Sequence, residues 1–163
     1  MSDHVDVVLT QWARQLPDLD TTPMAVLGRL TRLARLVEAQ QRATFARHDL
    51  DAPSFDVLAT LRRSDPPHEL TAGQLASASM VTSGAITQRL DRLVARGLVS
   101  RRRGDADTRT VLVTLTVAGR SAVEAALPDH LETGRRILAP LADQDVGRLA
   151  HLLRDLLVEH EAR

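Results

Sequence analysis

Residues 70–115 read LTAGQLASASMVTSGAITQRLDRLVARGLVSRRRGDADTRTVLVTL, and this segment decides the fold. Thr71 and Gln74 have the spacing of a capping box, in which each side chain accepts a hydrogen bond from the other residue's backbone amide. We therefore predict a short helix that begins after Thr71. A turn follows it, and the hydroxyl of Thr82 or Ser83 is suited to cap a second helix.

The second helix is predicted from apolar residues that recur along one side of a 3.6-residue repeat. These residues are Ile86, Leu90, Leu93 and Val94. The helix ends at Gly97, because glycine readily adopts the left-handed conformation that closes a helix. Two helices joined by such a tight turn form a helix-turn-helix, whose second helix enters the major groove of DNA.

A β-hairpin is predicted after Gly97. Residues 98–103 are apolar and then basic, residues 104–109 have turn composition, and residues 110–115 alternate β-branched and apolar side chains. Between Thr82 and Arg109 there are seven arginines and three aspartates, although the whole chain has a net charge of zero. A local positive excess is what phosphate binding requires. We interpret the hairpin as a DNA-binding wing; the alternative is a solvated, arginine-rich surface.

The side of the second helix opposite its apolar stripe is predicted to face DNA. Gln88 has the amide group that pairs with adenine, Arg92 is suited to guanine or phosphate, and Gly84 allows close approach of the backbone. The full set of predicted DNA-binding residues is Thr82, Ser83, Gly84, Thr87, Gln88, Arg92, Arg101, Arg103 and Arg109. Arg89 falls on the flank between the two sides, from which its side chain reaches back into the protein.

Three motifs resemble the multiple antibiotic resistance regulator (MarR) family. They are SGAITQRLDRL at residues 83–93, RGLV at residues 96–99, and Asp107-Thr108-Arg109 before a strand that ends in Leu-Thr. The resemblance covers nearly the whole chain. It implies a mainly α (α+β) fold with a winged helix-turn-helix. It also implies that Arg109 enters the minor groove and that Asp107 supports it in the wing.

Composition narrows the function further. The chain has 163 residues and no cysteine, so we expect one compact domain without disulfides or thiolate catalysis. It has no apolar run of about 18 residues and no basic-then-apolar N-terminal segment, so we expect a cytoplasmic protein without a membrane span. The six histidines lack metal-ligand spacing, and no nucleophile elbow or phosphate loop appears. We therefore predict no enzyme activity, metal or cofactor.

Helices are predicted on both sides of the winged segment. Residues 5–16 and 23–47 form two of them, Ser54 caps a third at residues 55–63, and residues 68–70 add a short strand. Residues 117–139 form a helix that Pro128 kinks or splits, and a last helix follows Asp143. We assign residues 1–48 to a ligand pocket and dimer contacts, 49–116 to DNA binding, and 117–163 to dimerisation. The predicted assembly is a two-fold homodimer.

Three residues are candidates for ligand binding, and each also has an ordinary explanation. Trp12 is suited to the core of the first helix, Asp56 to favourable contact with a helix dipole, and Arg89 to a phosphate contact. The flank position of Arg89 and a first-turn position of Asp56 would let these two residues meet. The N-terminal helix with Trp12, together with the segments around Asp56 and Arg89, resembles the urate-responsive branch of the MarR family.

That resemblance implies that Trp12 lines a pocket, that an anionic purine displaces Asp56, and that Arg89 transmits the change. Arg14, or Arg62 and Arg63, would add positive charge for the anion. The predicted partners are double-stranded DNA, a small aromatic anion such as urate or a phenolic acid, and a second copy of the chain. The predicted function is a ligand-responsive repressor. The alternatives are a constitutive or architectural DNA-binding protein without a working pocket, and a protein-interaction helical bundle.

Overall fold

The computed structural model describes residues 2–79, 86–104 and 110–161. It is mainly helical with one small sheet, which confirms the predicted fold class. The chain divides into two compact units, Met1–Ala43 and Thr44–Arg163. The functional roles assigned to the three predicted segments remain predictions.

The first unit contains helix α1 (His4–Gln15) and most of helix α2 (Thr22–Ala46). Asp3 and Asp6 form a capping box at the start of α1. Arg29 on α2 binds both carboxylates, with Nε 2.8 Å from Asp3 and Nη2 2.5 Å from Asp6. Val5 of α1 packs beside Gly28. These contacts hold α1 to α2 within the unit and account for its compactness.

The sequence pattern predicts that several side chains of α2 point inward, but in the single chain they are exposed. They are Val26, Leu27 and Leu33, whose exposed fractions are 50%, 58% and 42%. Phe45, near the end of the same helix, is buried as predicted. An apolar pattern identifies a face that avoids water but not the surface that covers it. These exposed residues are therefore available for the subunit contact that is predicted for this helix, and that contact remains a prediction.

In the second unit, helix α3 (Ala52–Arg63) is the first helix of the segment predicted to bind DNA. It starts earlier than the sequence predicts. Asp51, not Ser54, is the N-cap, and its carboxylate accepts a hydrogen bond of 2.7 Å from the Ser54 amide. Pro53 fits in the first turn, where a backbone N–H has no helical partner. Asp56 consequently lies beyond the first turn, so the predicted first-turn position of Asp56 is wrong.

The helix-turn-helix consists of α4 (Ala72–Ala78) and α5 (Ile86–Ala95). The capping box of Thr71 and Gln74 is confirmed, with side-chain hydrogen bonds of 3.1 and 2.8 Å. Gly97 ends α5 with a φ of 68°, as predicted for a left-handed helix terminus. The turn was predicted at residues 78–81; Ala78 is the last residue of α4 and Ser79 is its C-cap. Residues 80–85, which include the predicted caps Thr82 and Ser83, lie outside the described residues.

The predicted hairpin is confirmed as strands β2 (Val99–Arg103) and β3 (Val111–Leu115). A third strand, β1 (Glu69–Thr71), pairs with β3, giving an antiparallel sheet of order β1-β3-β2. In the register, Val99 lies opposite Leu115 and Leu70 opposite Val113. The sheet lets the wing project from the helix-turn-helix while β1 ties it to the start of α4.

Helices α6 (Val117–Leu138) and α7 (Asp143–Glu161) complete the chain. Pro128 lies inside α6 and does not split it, because a proline removes a single N–H while buried Val123, Ala126 and Thr133 hold the turns on both sides. Helix α7 has no buried residue. None of the helices in the described ranges combines the length and apolar character needed to cross a membrane.

The core of the second unit lies where α3, α4, α5 and the sheet meet the first half of α6. Its largest fully buried side chains include Phe45, Leu58, Leu61, Leu75, Leu90, Leu93, Val99 and Val113. The ring of His130 stacks on Phe45 and Phe55 with centroid distances of 5.3 and 5.0 Å. Burial lowers the pKa of His130 below its ordinary value of 6.5, so this histidine belongs to the core edge.

Gly119 is predicted to be essential for joining α6 to the wing. A Cβ atom at this position would overlap the carbonyl oxygen of Leu98, which also accepts a hydrogen bond from the Thr116 hydroxyl. We expect Gly119→Ala to lower the free energy of unfolding by about 1–3 kcal/mol or more, as overpacking does. Urea denaturation measures this change. Gly73→Ala is the control, because its Cβ would meet only Thr71 Oγ1 at 3.9 Å; equal losses in both variants would contradict the prediction.

Asp51 is predicted to stabilise α3 in a pH-dependent way. Burial raises the pKa of Asp51, but hydrogen bonding from Ser54 and the charges of Arg89 and Arg92 outweigh it, so the pKa lies below its ordinary value of 3.8. A lowered pKa in the folded state means that the stabilisation is present above pH 3.8 and is lost as the pH falls through the folded-state value. Asp51→Ala should cost about 1 kcal/mol at pH 7, the usual size for an N-cap.

The measurement for Asp51 is urea denaturation of both proteins from pH 7 downward. The difference in unfolding free energy should shrink at the acid end of the series. Ser54→Ala is the control, since the Ser54 backbone amide remains as the donor. A larger loss in Ser54→Ala than in Asp51→Ala would restore Ser54 as the cap.

Candidate nucleic-acid interface

Helix α5 has one buried side and one exposed side. Leu90 and Leu93 are 1% and 0% exposed, and Ile86 packs partly buried against the core. Thr87, Gln88 and Arg92 are exposed, as predicted. Val94 is 38% exposed, so its predicted place in the buried stripe is wrong; it lies at the edge of the stripe in the last turn. The exposed side therefore carries an amide, a hydroxyl and a guanidinium group within two helical turns.

Four predicted DNA-binding residues and the predicted wing support, Asp107, lie outside the described residues. Thr82, Ser83 and Gly84 lie in one segment outside the described residues, and Asp107 and Arg109 lie in another. The roles predicted for these residues remain predictions.

The arginines of β2 differ in their surroundings. Nη1 of Arg101 lies 2.6 Å from the carboxylate of Asp91 on α5. Arg102 binds Glu69 of β1 through Nε at 2.8 Å and Nη2 at 2.5 Å, whereas the side chain of Arg103 is exposed. Arg101 was predicted as a DNA contact, and its ion pair joins the wing to α5. This pair gives Arg101 a positioning role that spacing alone does not indicate.

The Arg102 contact also acts on Glu69. Hydrogen bonding from Arg102 lowers the pKa of Glu69 below its ordinary value of 4.5, with burial opposing it. This ion pair therefore joins the two edge strands, β2 and β1, across the central strand β3. A second pair, between Arg96 and Asp49 at 2.6 Å, joins the end of α5 to the loop before α3. Together these two ion pairs hold the sheet and the end of α5 in place, and with them the exposed groups of α5.

Arg89 lies inside the protein, as its flank position predicts. It is 8% exposed, and its Nε and Nη1 atoms have no hydrogen-bond partner among the described residues. Oδ2 of Asp56 is likewise buried without a partner. The predicted contact between these two residues is wrong, since no ion pair or hydrogen bond joins them in the described structure.

Asp51 is a residue of this site that the sequence reasoning missed. The charges of Arg89 and Arg92 both act on its carboxylate, which places it near the buried and the exposed arginine of α5. An aspartate followed after one residue by proline is a helix-start signal that would have identified it as the cap. Its proximity to α5 required the fold.

Trp12 lies in the first unit and is 38% exposed, so the structure does not bury it in a core. That unit contains a cavity of about 510 Å³ between α1 and α2. Its walls are mainly apolar and include Val5, Val8, Leu9 and Leu27. Within the described ranges, no group of three His, Cys, Asp or Glu residues is arranged to hold a metal ion.

Comparisons with known proteins agree with this geometry. A MarR family model matches residues 48–110. The chain is 35% identical over 150 residues to the HTH-type transcriptional regulator PecS from Dickeya dadantii, covering 92% of this chain and 90% of PecS.

Two solved structures are also similar. A mutant of MarR from E. coli, complexed with operator DNA, has a TM-score of 0.71 at 26% identity, and the match covers 96% of this chain and 99% of that one. BpsR from Bordetella bronchiseptica, whose DNA binding is regulated by 6-hydroxynicotinic acid, has a TM-score of 0.73 at 27% identity, covering 80% and 91%.

Proposed function

The chain belongs to the MarR family of DNA-binding transcriptional regulators, and on this premise we propose that it is a homodimeric repressor released from a pseudo-palindromic operator by a small aromatic anion such as urate. Regulators of this family are not enzymes. The observation that carries the proposal is the division of α5, which buries Leu90 and Leu93 and exposes Thr87, Gln88 and Arg92. The proposed place of action is the cytoplasm, where a bacterial regulator meets its operator.

Base reading is assigned to α5 and backbone binding to the wing. Gln88 has the paired donor and acceptor that match the major-groove edge of adenine, and Arg92 has the donors that match guanine or phosphate. Arg103 offers an exposed charge on β2 for phosphate. Thr82, Ser83 and Gly84 extend this surface before α5, and Arg109, supported by Asp107, extends it into the minor groove.

The homodimer is supported by apolar surface that the single chain leaves exposed. Helix α7 exposes Leu152, Leu156 and Leu157, with exposed fractions of 53%, 47% and 56%. Single chains rarely keep such contiguous apolar faces in water. A two-fold pair of helix-turn-helix units reads two half-sites about one DNA turn apart, which is the geometry of a pseudo-palindromic operator. The similar E. coli protein was solved with operator DNA.

The ligand response is supported by the unsatisfied polar atoms at Arg89 and Asp56. A buried guanidinium without a partner is costly, and an anion that hydrogen bonds to it removes that cost. Arg89 belongs to α5, so an anion bound to it acts directly on the DNA-reading helix. BpsR offers a precedent in which an aromatic acid regulates DNA binding.

The size of the response follows from linkage. An allosteric coupling free energy of about 1–3 kcal/mol changes DNA affinity about 5- to 150-fold. Such a change in affinity is sufficient to release the protein from promoter DNA. The same coupling requires that operator DNA weakens ligand binding by an equal factor.

Arg92→Ala tests the DNA interface. Removing one phosphate contact should reduce the slope of log affinity against log salt by about 0.9. If Arg92 instead contacts guanine, the variant should lose discrimination at one operator position, worth about 1–3 kcal/mol. The measurement is fluorescence anisotropy on the DNA upstream of the reading frame at several salt concentrations. Arg42→Ala is the control, because Arg42 pairs with Glu38 on α2; equal losses in both variants would contradict the assignment.

Arg89→Ala tests the ligand response. We expect weaker operator binding and loss of the roughly 5- to 150-fold release by urate, because the variant removes the group that the anion binds. Mobility shifts with urate, xanthine and salicylate measure the release, and circular dichroism verifies folding. An unchanged urate response in Arg89→Ala would refute the relay. A wild-type protein that binds operator tightly and responds to none of these ligands would establish the constitutive alternative.

A further inference from the structure

Three arginines form a row along one side of α5. Arg89, Arg92 and Arg96 follow one another at spacings of three and four residues, and the Arg96 amide continues the helical pattern by donating to the Arg92 carbonyl at 3.0 Å. We call these residues the α5 arginine row. The row borders the loop between α2 and α3, because Nη2 of Arg96 lies 2.6 Å from both the carbonyl oxygen and the carboxylate of Asp49.

Asp51 lies in the same loop, two residues after Asp49, and its carboxylate is held near the row. Oδ1 accepts the capping hydrogen bond from the Ser54 amide at 2.7 Å, so the start of α3 fixes the position of this group. Burial raises the pKa of Asp51, and hydrogen bonding from Ser54 lowers it. The charges of Arg89 and Arg92 lower it further, since both guanidinium groups act on the carboxylate. The cap of α3 therefore also places a negative charge near α5.

The members of the row differ in how far their charge is available to DNA. Arg89 is buried, and Arg96 is bound to Asp49. Arg92 is exposed, and its hydrogen bond within the described residues is a long one, from Nε to the Gln88 carbonyl at 3.4 Å. The guanidinium of Arg92 is therefore the part of the row that a phosphate group can reach.

We infer that Asp51 limits the affinity of the protein for DNA by partly cancelling the positive charge of Arg92. This inference rests on the DNA-binding role proposed for α5. A phosphate that approaches Arg92 is attracted by the guanidinium and repelled by the nearby carboxylate, so the net attraction is smaller than Arg92 alone would give. The repulsion acts through space and is the same for every DNA sequence, because all phosphates carry the same charge. Asp51 is thus an affinity-limiting residue that requires no contact with DNA.

The test removes the charge of Asp51 and keeps the cap of α3. Asp51→Asn retains an oxygen that accepts from the Ser54 amide but has no charge. We expect it to bind a random-sequence duplex about two- to fivefold more tightly than the wild type at about 0.1 M salt, which is the size of an exposed charge interaction. The ratio of affinities should approach one as the salt concentration rises, because salt screens the charges. Fluorescence anisotropy with the full chain measures the affinities, and urea denaturation verifies folding.

Two further variants exclude other causes of the gain. Asp51→Ser also keeps a capping oxygen, and it lacks an amide N–H that could bind phosphate, so it should gain the same factor of about two to five. Asp65→Asn is the matched control, because it removes an exposed charge beyond the other end of α3, about 18 Å along the helix, and should bind as the wild type does. The inference is overturned if either Asp51 variant binds no more tightly than the wild type, or if Asp65→Asn gains as much. A wild type that binds no duplex would refute the proposed function as well, whereas a ratio of one with a binding wild type refutes this inference alone.

Discussion

The burial of Leu90 and Leu93 sets the rotation of α5, and the remaining geometry of the interface depends on it. Both side chains are inside the core, and removing either would open a cavity in a close-packed interior. Because Leu90 and Leu93 fix the rotation of α5, only the opposite side of the helix is exposed to water. That side carries Gln88 and Arg92. The same rotation brings Arg89 inward, where its guanidinium is separated from solvent. The exposure of Gln88 and Arg92 and the burial of Arg89 therefore follow from one packing constraint.

Much of the fold was predictable because its signals are local. The capping box of Thr71 and Gln74 and the left-handed Gly97 depend on residues a few positions apart, and the structure confirms both. The cap of α3 was mispredicted because two acceptors compete there. Ser54 has the right chemistry, but Pro53 fits only inside the first turn, so the helix begins at Ala52 with Asp51 as cap. The position of Pro53 is the sequence signal that decides between the two caps.

The candidate site was less predictable because its contacts join distant segments. The direction of each side chain on α5 follows from helical periodicity, and the burial of Arg89 was predicted on that basis. Its partners were not, since the relation of α3 to α5 depends on the packing of the whole second unit. Asp56 was expected beside Arg89, whereas the charge that acts on Asp51 comes from Arg89 and Arg92. Pairing across helices is a tertiary property that periodicity does not contain.

The ion pairs of the wing show why its arginines are not equivalent. An exposed ion pair contributes only about 0.2–1 kcal/mol, so the Arg101–Asp91 pair adds little to stability. Its effect is geometric, because it joins β2 to α5. An arginine held in this way offers phosphate less free charge than Arg103 does, yet it limits the angle between wing and helix. Neighbouring arginines of one strand therefore differ in what they can do: Arg101 connects β2 to α5, while Arg103 keeps its charge exposed.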